Sequence, residues 1–294
     1  MTATFAILGP GTLGLSFARH AAEQGFRVRI AGKNREHAEA RLDQARSRWR
    51  GAQVACAPDP IDPGAPSPSW IDGITACRDI EEALAGADVL LEALPEDLAT
   101  KTTAWRRLDG LTPPAVLRLT GTSSLSIRAI REGAGMPIGL LGFHLFVPVR
   151  RMRVVELARE AGTSDQLLAR AADLSRALAL RLIPIRDQPG LAASRMALAQ
   201  GLEAMRLLEE GVATATDLDA LMVLGYGHPV GPLELSDRIG LDLRLAIAEQ
   251  LHRDTQDPRF EVPAILRTLV QLGHTGRTAG QGFHDWDSEG IRPC

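Results

Sequence analysis

Ala3-Thr-Phe-Ala-Ile-Leu-Gly9-Pro-Gly11-Thr12-Leu13-Gly14 decides the fold. Six apolar or small residues run into three glycines at positions 9, 11 and 14, and Leu15–Gln24 continues as a helix that stops at Gly25. The first part reads as a short buried strand and the last as an amphipathic helix. Between them the spacing is Gly-x-Gly-x-x-Gly. The first glycine permits the tight turn, the second lets the backbone approach a pyrophosphate, and the third lets helix and strand pack closely. A helix that starts there points its free N–H groups and positive dipole end at an anion. Gly9, Gly11, Thr12, Leu13 and Gly14 are therefore candidate cofactor residues. Val28–Ala31 reads as the second strand, which completes the opening of a dinucleotide-binding unit.

Downstream, 36–50 reads as an Arg-rich helix and 57–69, with five prolines, as a loop. Short strands are expected at Ala87–Ala93, Ala115–Leu119, Ile138–Phe143, Val154–Leu157 and Leu182–Ile185. Helices are expected at Ile80–Leu84, Ile127–Glu132 and Ser164–Ala179. After Pro189 the pattern turns helical, with a long helix over 190–213 and turns at Gly225–Pro232 and Asp257–Pro263. The fold class is α/β: a Rossmann-type sheet domain over 1–187, then an all-α domain over 188–294.

Bulk properties exclude several classes. The net charge of -3 leaves no electrostatic footprint for nucleic acid. No apolar run approaches the roughly 18 residues that span a bilayer. Cys56, Cys77 and Cys294 have no metal or redox spacing and read as free thiols of a cytoplasmic protein, with no metal expected. Of 33 basic residues only Lys33 and Lys101 are lysines.

At the end of the second strand, where an acid usually holds the ribose hydroxyls, stands Gly32, followed by Lys33, Asn34 and Arg35. An acid repels a 2′-phosphate, whereas this set attracts one. NADP(H) is therefore favoured over NAD(H). A Tyr-x-x-x-Lys pair is absent, since Val230 stands four after Tyr226, the chain's single tyrosine. A zinc-type Cys/His cluster is absent too, and no lysine follows Lys101.

Six further motifs come in a definite order: Glu92-Ala-Leu-Pro-Glu96 through Lys101, Gly121-Thr-Ser123-Ser124-Leu125, Gly142-Phe-His144-Leu-Phe-Val-Pro148 with Val154-Val-Glu156-Leu, Asp187-Gln-Pro-Gly190, Gly227-His-Pro-Val-Gly-Pro-Leu-Glu234, and Gly280-Gln-Gly-Phe283. In this order the chain resembles the 3-hydroxyacyl-CoA dehydrogenase family over nearly its full length. The resemblance implies oxidoreduction between a 3-hydroxyacyl thioester and its 3-keto form. It implies His144 as general acid/base paired with Glu156, Ser123 as a hydrogen-bond donor to the substrate oxygen, and Glu96 and Lys101 as cofactor contacts. It also implies a homodimer formed through the helical domain, and a site in the cleft between the domains. An imidazole poised near neutral pH suits removal of a hydroxyl proton, and a carboxylate on its other nitrogen fixes the tautomer.

Three positions depart from the family. Gly121, Val147 and Ser194 stand where it has asparagines, and the last of these helps to place the substrate carbonyl, so Ser194 is its shorter substitute here. Arg150, Arg151 and Arg153 lie between His144 and Glu156 and are suited to a carboxylate or phosphate. Arg46, Arg48 and Arg50 fall where the family's acyl-CoA clamp begins, and its second helix is replaced by the proline loop. That points to a thioester presented by an acyl carrier protein. The alternatives are a dehydrogenase of a free 3-hydroxy acid and a cofactor-binding sensor that has lost catalysis.

Overall fold

A computed structural model describes residues 3–56 and 69–287. The chain divides into two compact units, Met1–Leu191 and Ala192–Cys294. The first is built on β1 (Thr4–Leu8), α1 (Thr12–Glu23), β2 (Arg27–Ala31), α2 (Arg35–Cys56), β3 (Ile74–Cys77), α3 (Ile80–Leu84), β4 (Val89–Glu92), α4 (Leu98–Leu111), β5 (Leu117–Thr120), α5 (Ile127–Ala134), β6 (Leu140–Leu145), α6 (Val149–Met152), β7 (Val154–Arg159), α7 (Asp165–Ala177) and β8 (Arg181–Arg186).

The eight strands form one sheet in the order β3-β2-β1-β4-β5-β6-β7-β8. All pairings are parallel except β6 with β7. The first six follow the doubly wound order, in which the chain reverses direction across the sheet at β1 and ligands gather at the carboxyl ends of the strands. Both faces are covered. Along β1, Phe5 and Ile7 join the core that includes α1, α2 and α7, whereas Ala6 joins the core that includes α3, α4 and α5. Strands buried on both faces lose the polar alternation of half-exposed ones, which is why they read as plain apolar runs. Phe5 and Phe17 meet edge to face at 5.2 Å and fix α1 to β1.

Several elements differ from expectation. Helix α1 begins at Thr12 rather than Leu15, because it rises straight out of the glycine turn with Gly11 as its cap. Strand β3 was not foreseen. It has only four residues, one of them exposed, and is recognisable through its pairing with β2. Helix α2 reaches Cys56, beyond the expected end at residue 50. The proline stretch at 57–68 and the side chain of Arg50 lie outside the described residues.

The second unit is helical: α8 (Ala193–Glu209), α9 (Ala215–Ala220), a π-helical turn at Leu221–Gly225, α10 (Pro232–Ile239), α11 (Leu241–Thr255) and α12 (Ala264–Gln271). Its core gathers Leu198, Leu202, Met205, Leu218, Leu233, Leu251, Phe260 and Leu266. Two carboxylates fasten the segment Phe283–Trp286 to it. Asp237 accepts from the backbone N–H of Phe283 and His284 and from Trp286 Nε1, each at 2.9 Å. Asp219 Oδ2 stands 2.7 Å from His284 Nε2. No helix among the described residues is long and apolar enough to cross a membrane.

Candidate active site

The glycine turn at the carboxyl end of β1 opens on a cavity of about 610 Å³ lined by Leu8 to Leu13, Gly32, Lys33, His37, Arg41, Ala93, Leu94 and Pro95. Each glycine there has a separate cause. A Cβ on Gly9, whose φ is +114°, would meet Ala93 O at 2.5 Å. A Cβ on Gly14 would strike Gly9 O. A Cβ on Gly11 would meet nothing, so its absence leaves space for something other than this chain. No side chain caps α1, whereas Asp79, Asp97, Ser126 and Ser164 cap α3, α4, α5 and α7. Free N–H groups at a helix start beside an open cavity fit the pyrophosphate of a dinucleotide.

The end of that cavity beside β2 and α2 carries positive charge and no acid among its lining residues. Lys33 lines it, and His37 and Arg41, two residues on α2 that sequence reading passed over, line it as well. Their i, i+4 spacing on an otherwise charged helix has no feature that separates them from a solvated face. Arg41 Nε donates to Pro10 O at 3.3 Å. A Cβ on Gly32 would lie 2.6 Å from His37 Nδ1, so any larger residue there would displace the His37 ring from the cavity wall. Asn34 caps α2 by accepting from His37 N at 2.8 Å. Arg35 turns to Glu82 at 3.0 Å and to Glu39 at 3.7 Å, and is not part of the cavity wall.

Next to this cavity, and sharing Thr12 and Arg41 with it, lies a smaller one of about 220 Å³. Arg19, Arg41, Arg48 and Arg150 line it without an acid among the lining residues. Glu23 stands behind Arg19 at 2.9 Å and Arg150 at 3.7 Å. Arg151 and Arg153 are exposed and do not contribute to its wall.

His144 and Glu156 face one another across the antiparallel β6–β7 pair, directly in register. Both are buried, and His144 Nδ1 lies 2.6 Å from Glu156 Oε2. Nδ1 is thereby engaged, which leaves Nε2 for proton exchange. The His144 ring also packs 4.6 Å from that of Phe146.

Ser123 lies in the turn after β5. Its Oγ donates to Glu96 Oε1 at 3.3 Å and its backbone N–H donates to the same oxygen at 2.8 Å. The carboxyl of Glu96 stays below the usual carboxylate range: burial works against this, and the Lys101 charge with the donors at Thr122, Ser124 and Ser123 outweighs it. Lys101 is wholly buried and pairs at 2.8 Å with Glu92, the last residue of β4, whose place at a strand end gives no sign of this role in the sequence. Gly121 is tightly enclosed, since a Cβ would meet Leu13 Cδ2 at 2.7 Å and Glu92 O at 3.0 Å. Ser194 sits in the first turn of α8, in the second unit. No group of three or more metal-ligating side chains occurs among the described residues.

Comparison with known proteins agrees over both units. Residues 4–188 match the 3-hydroxyacyl-CoA dehydrogenase NAD-binding domain and residues 190–286 match the C-terminal domain of the same family. A probable 3-hydroxybutyryl-CoA dehydrogenase of Bacillus subtilis is 34% identical over 288 residues, covering 96% of this chain and 97% of that protein. A second such protein, from Deinococcus radiodurans, is 30% identical, covering 96% of this chain and 99% of that one. The crystal structure of (S)-3-hydroxybutyryl-CoA dehydrogenase from Ralstonia eutropha superposes with a TM-score of 0.87 at 29% identity, covering 98% of this chain and all of that one. The chain belongs to the 3-hydroxyacyl-CoA dehydrogenase family of oxidoreductases.

Proposed function

We propose that the protein interconverts a 3-hydroxyacyl thioester and its 3-keto form, with His144 as general acid/base. The observation that carries this reading is the buried His144–Glu156 pair in cross-strand register at 2.6 Å. When bound, a nicotinamide cofactor accepts or supplies the hydride at C3. In the oxidative direction His144 Nε2 takes the hydroxyl proton, and Glu156 stabilises the imidazolium that forms. In the reductive direction the same nitrogen returns the proton to the carbonyl oxygen. Ser123 donates a hydrogen bond to that oxygen, and Ser194 takes the place of the longer amide that helps to hold it. The segment 188–294 supplies the dimer contacts.

The glycine turn and the uncapped start of α1 support binding of the dinucleotide by Gly9, Gly11, Thr12, Leu13 and Gly14. The family's domain is an NAD-binding one. In this chain we favour NADP(H), because Lys33, His37 and Arg41 gather where an acid would stand and Gly32 leaves that position without a side chain. Asn34 shapes the turn, and Arg35 adds long-range charge. With Lys101 fully buried against Glu92, its share in cofactor binding is indirect.

The arginine-lined pocket beside the cofactor cavity supports an anionic handle on the substrate. A thioester of coenzyme A or of an acyl carrier protein has one in its phosphates. A free 3-hydroxy acid, the second reading, has one in its carboxylate.

The test is a paired assay of NADPH and NADH oxidation with acetoacetyl-CoA, for the wild type and His144→Ala. We expect turnover with preference for NADPH, and a loss in kcat of about 10²–10⁴-fold in the variant. Equal activity of His144→Ala would sink the acid/base assignment. Turnover with NADH alone would overturn the NADP reading and leave the rest. Activity on free acids with none on thioesters would select the second reading.

A further inference from the structure

Lys101 is the feature of the first unit that the reaction does not use directly. Its side chain and that of Glu92 are both completely buried. A buried ammonium requires acceptors for its three protons. Lys101 Nζ donates to Glu92 Oε1 at 2.8 Å and to Leu94 O at 3.2 Å, and forms an ion pair with Glu96 Oε2 at 3.7 Å. Glu92 in turn accepts from Leu94 N at 2.7 Å, Thr120 Oγ1 at 2.6 Å and Trp105 Nε1 at 3.2 Å. The carboxyl ends of β4 and β5 and the first two turns of α4 are thereby tied to one carboxylate. A compact, wholly buried pocket with carboxylates on two sides suits a point-like ammonium better than a planar guanidinium, which gives a reason for a lysine in a chain that otherwise uses arginine.

The far end of this chain of charges is Glu96. Its Oε1 accepts from Thr122 Oγ1 at 2.7 Å, Ser123 N at 2.8 Å, Ser124 N at 2.7 Å and Ser124 Oγ at 2.9 Å. Leu125 N and Ser123 Oγ stand farther away, at 3.3 Å. Three successive backbone N–H groups converging on one oxygen make a nest, a concavity that demands an anion. Here the protein supplies the anion itself. Six donors cannot all have ideal geometry on one oxygen, and the Ser123 hydroxyl has one of the two longest contacts.

We infer that Glu96, anchored through Lys101 and Glu92, is a positioning residue that fills the nest of the 122–125 turn and holds the Ser123 hydroxyl on a weak bond, from which it turns to the substrate oxygen. This rests on the reading of Ser123 as the donor to that oxygen. It gives Glu96 a task distinct from touching the cofactor, and gives Lys101 one that needs no exposure.

The experiment uses the whole protein with Glu96→Ala, Glu96→Gln and Ser123→Ala. Reduction of acetoacetyl-CoA is measured with and without added formate, and cofactor affinity is measured separately from the quenching of protein fluorescence. In Glu96→Ala we expect kcat to fall about 10–100-fold, the loss of charge-assisted hydrogen bonds. Cofactor Kd is expected to stay within about twofold, and formate, which fits the emptied nest, to restore part of kcat. Glu96→Gln, close to the native size, is expected to keep the fold by circular dichroism and to lie between wild type and Glu96→Ala. A loss confined to cofactor affinity, an unchanged kcat, or no response to formate by a folded Glu96→Ala overturns the inference. An unchanged kcat in Ser123→Ala overturns the serine assignment instead, and formate rescue tells the two failures apart.

Discussion

Arg244 on α11 is buried, and its Nε and Nη2 have no hydrogen-bond partner among the described residues. Burial pushes its pKa down to about 10. The guanidinium lies beside Gly201 of α8, where a Cβ would make ordinary contact with Nη2 at 3.8 Å. A buried cation without a counter-ion is a cost, and replacing such groups by apolar ones of similar volume is commonly neutral or stabilising. Arg244→Met is therefore expected to unfold at equal or higher urea, by up to about 4 kcal/mol. A loss of several kcal/mol would mean that Arg244 finds an acid in the assembled protein. His20 has the opposite cost. Burial lowers its pKa below 6.5, against the backbone bond to Leu178 O and the charge of Glu23, while Arg153 and Arg150 add to the lowering. Its stabilising contribution is thus complete above pH 6.5 and is lost as pH falls through the folded value. Thermal scans between pH 7.5 and pH 5 should show a decline in the wild type that flattens in His20→Gln, which keeps an N–H for Leu178 O. Parallel curves for the two would remove His20 from the account.

At the level of elements, α5 shows how one side chain sets the start of a helix. Asp187, at the end of β8, accepts from Ile127 N, Arg128 N and Ser126 Oγ, each at 2.8 Å. It satisfies two of the orphan donors of α5 and places a negative charge at the positive end of the dipole. Asp187→Ala is expected to lower stability by about 1–2 kcal/mol in denaturant titration, and an unchanged midpoint would mean that Ser126 alone suffices. What sequence reading found and missed follows from the same local physics. β1, α1 and β2 were legible because the glycine spacing and the apolar runs agree. Helix α4 was hidden because its buried stripe is Lys101, Trp105 and Leu108, and a lysine reads as a solvated position. β3 was hidden because four residues contain too little alternation. His144 and Glu156 could be placed on neighbouring strands. That β7 runs antiparallel to β6 could not, since apolar periodicity is the same in either direction. His37 and Arg41 become distinctive only once the sheet has folded beneath them.

For the molecule as a whole, the fold class was the most legible feature, because many weak patterns had to agree: alternating strands and helices, then helices alone. Assembly is less legible, and the second unit supplies the clue. Leu221, Leu224 and Tyr226, in and just after the π-helical turn, are 60%, 84% and 78% exposed. Apolar surface of this kind on a helical unit suits a second copy of the chain. In light scattering after gel filtration we expect the wild type to run as a dimer and Leu224→Lys to shift toward monomer. A dimer of unchanged strength would place the contact elsewhere.

The cross-strand register of β6 and β7 also bears on how such a protein is altered. Because His144 and Glu156 are opposed through the ladder itself, their spacing does not depend on the chain that joins them. Residues 146–153 form the connection; its exposed members, which include Val147 and the three arginines, can be exchanged with the ladder intact, whereas Val149 is buried and tied to Ser16 Oγ at 3.0 Å. A shift of the ladder by one residue, by contrast, would turn Glu156 to the opposite face of the sheet. The hairpin thus separates what is fixed from what can change: its stem is a caliper that sets the spacing of His144 and Glu156, and its exposed tip is a place where side chains can be exchanged without resetting it.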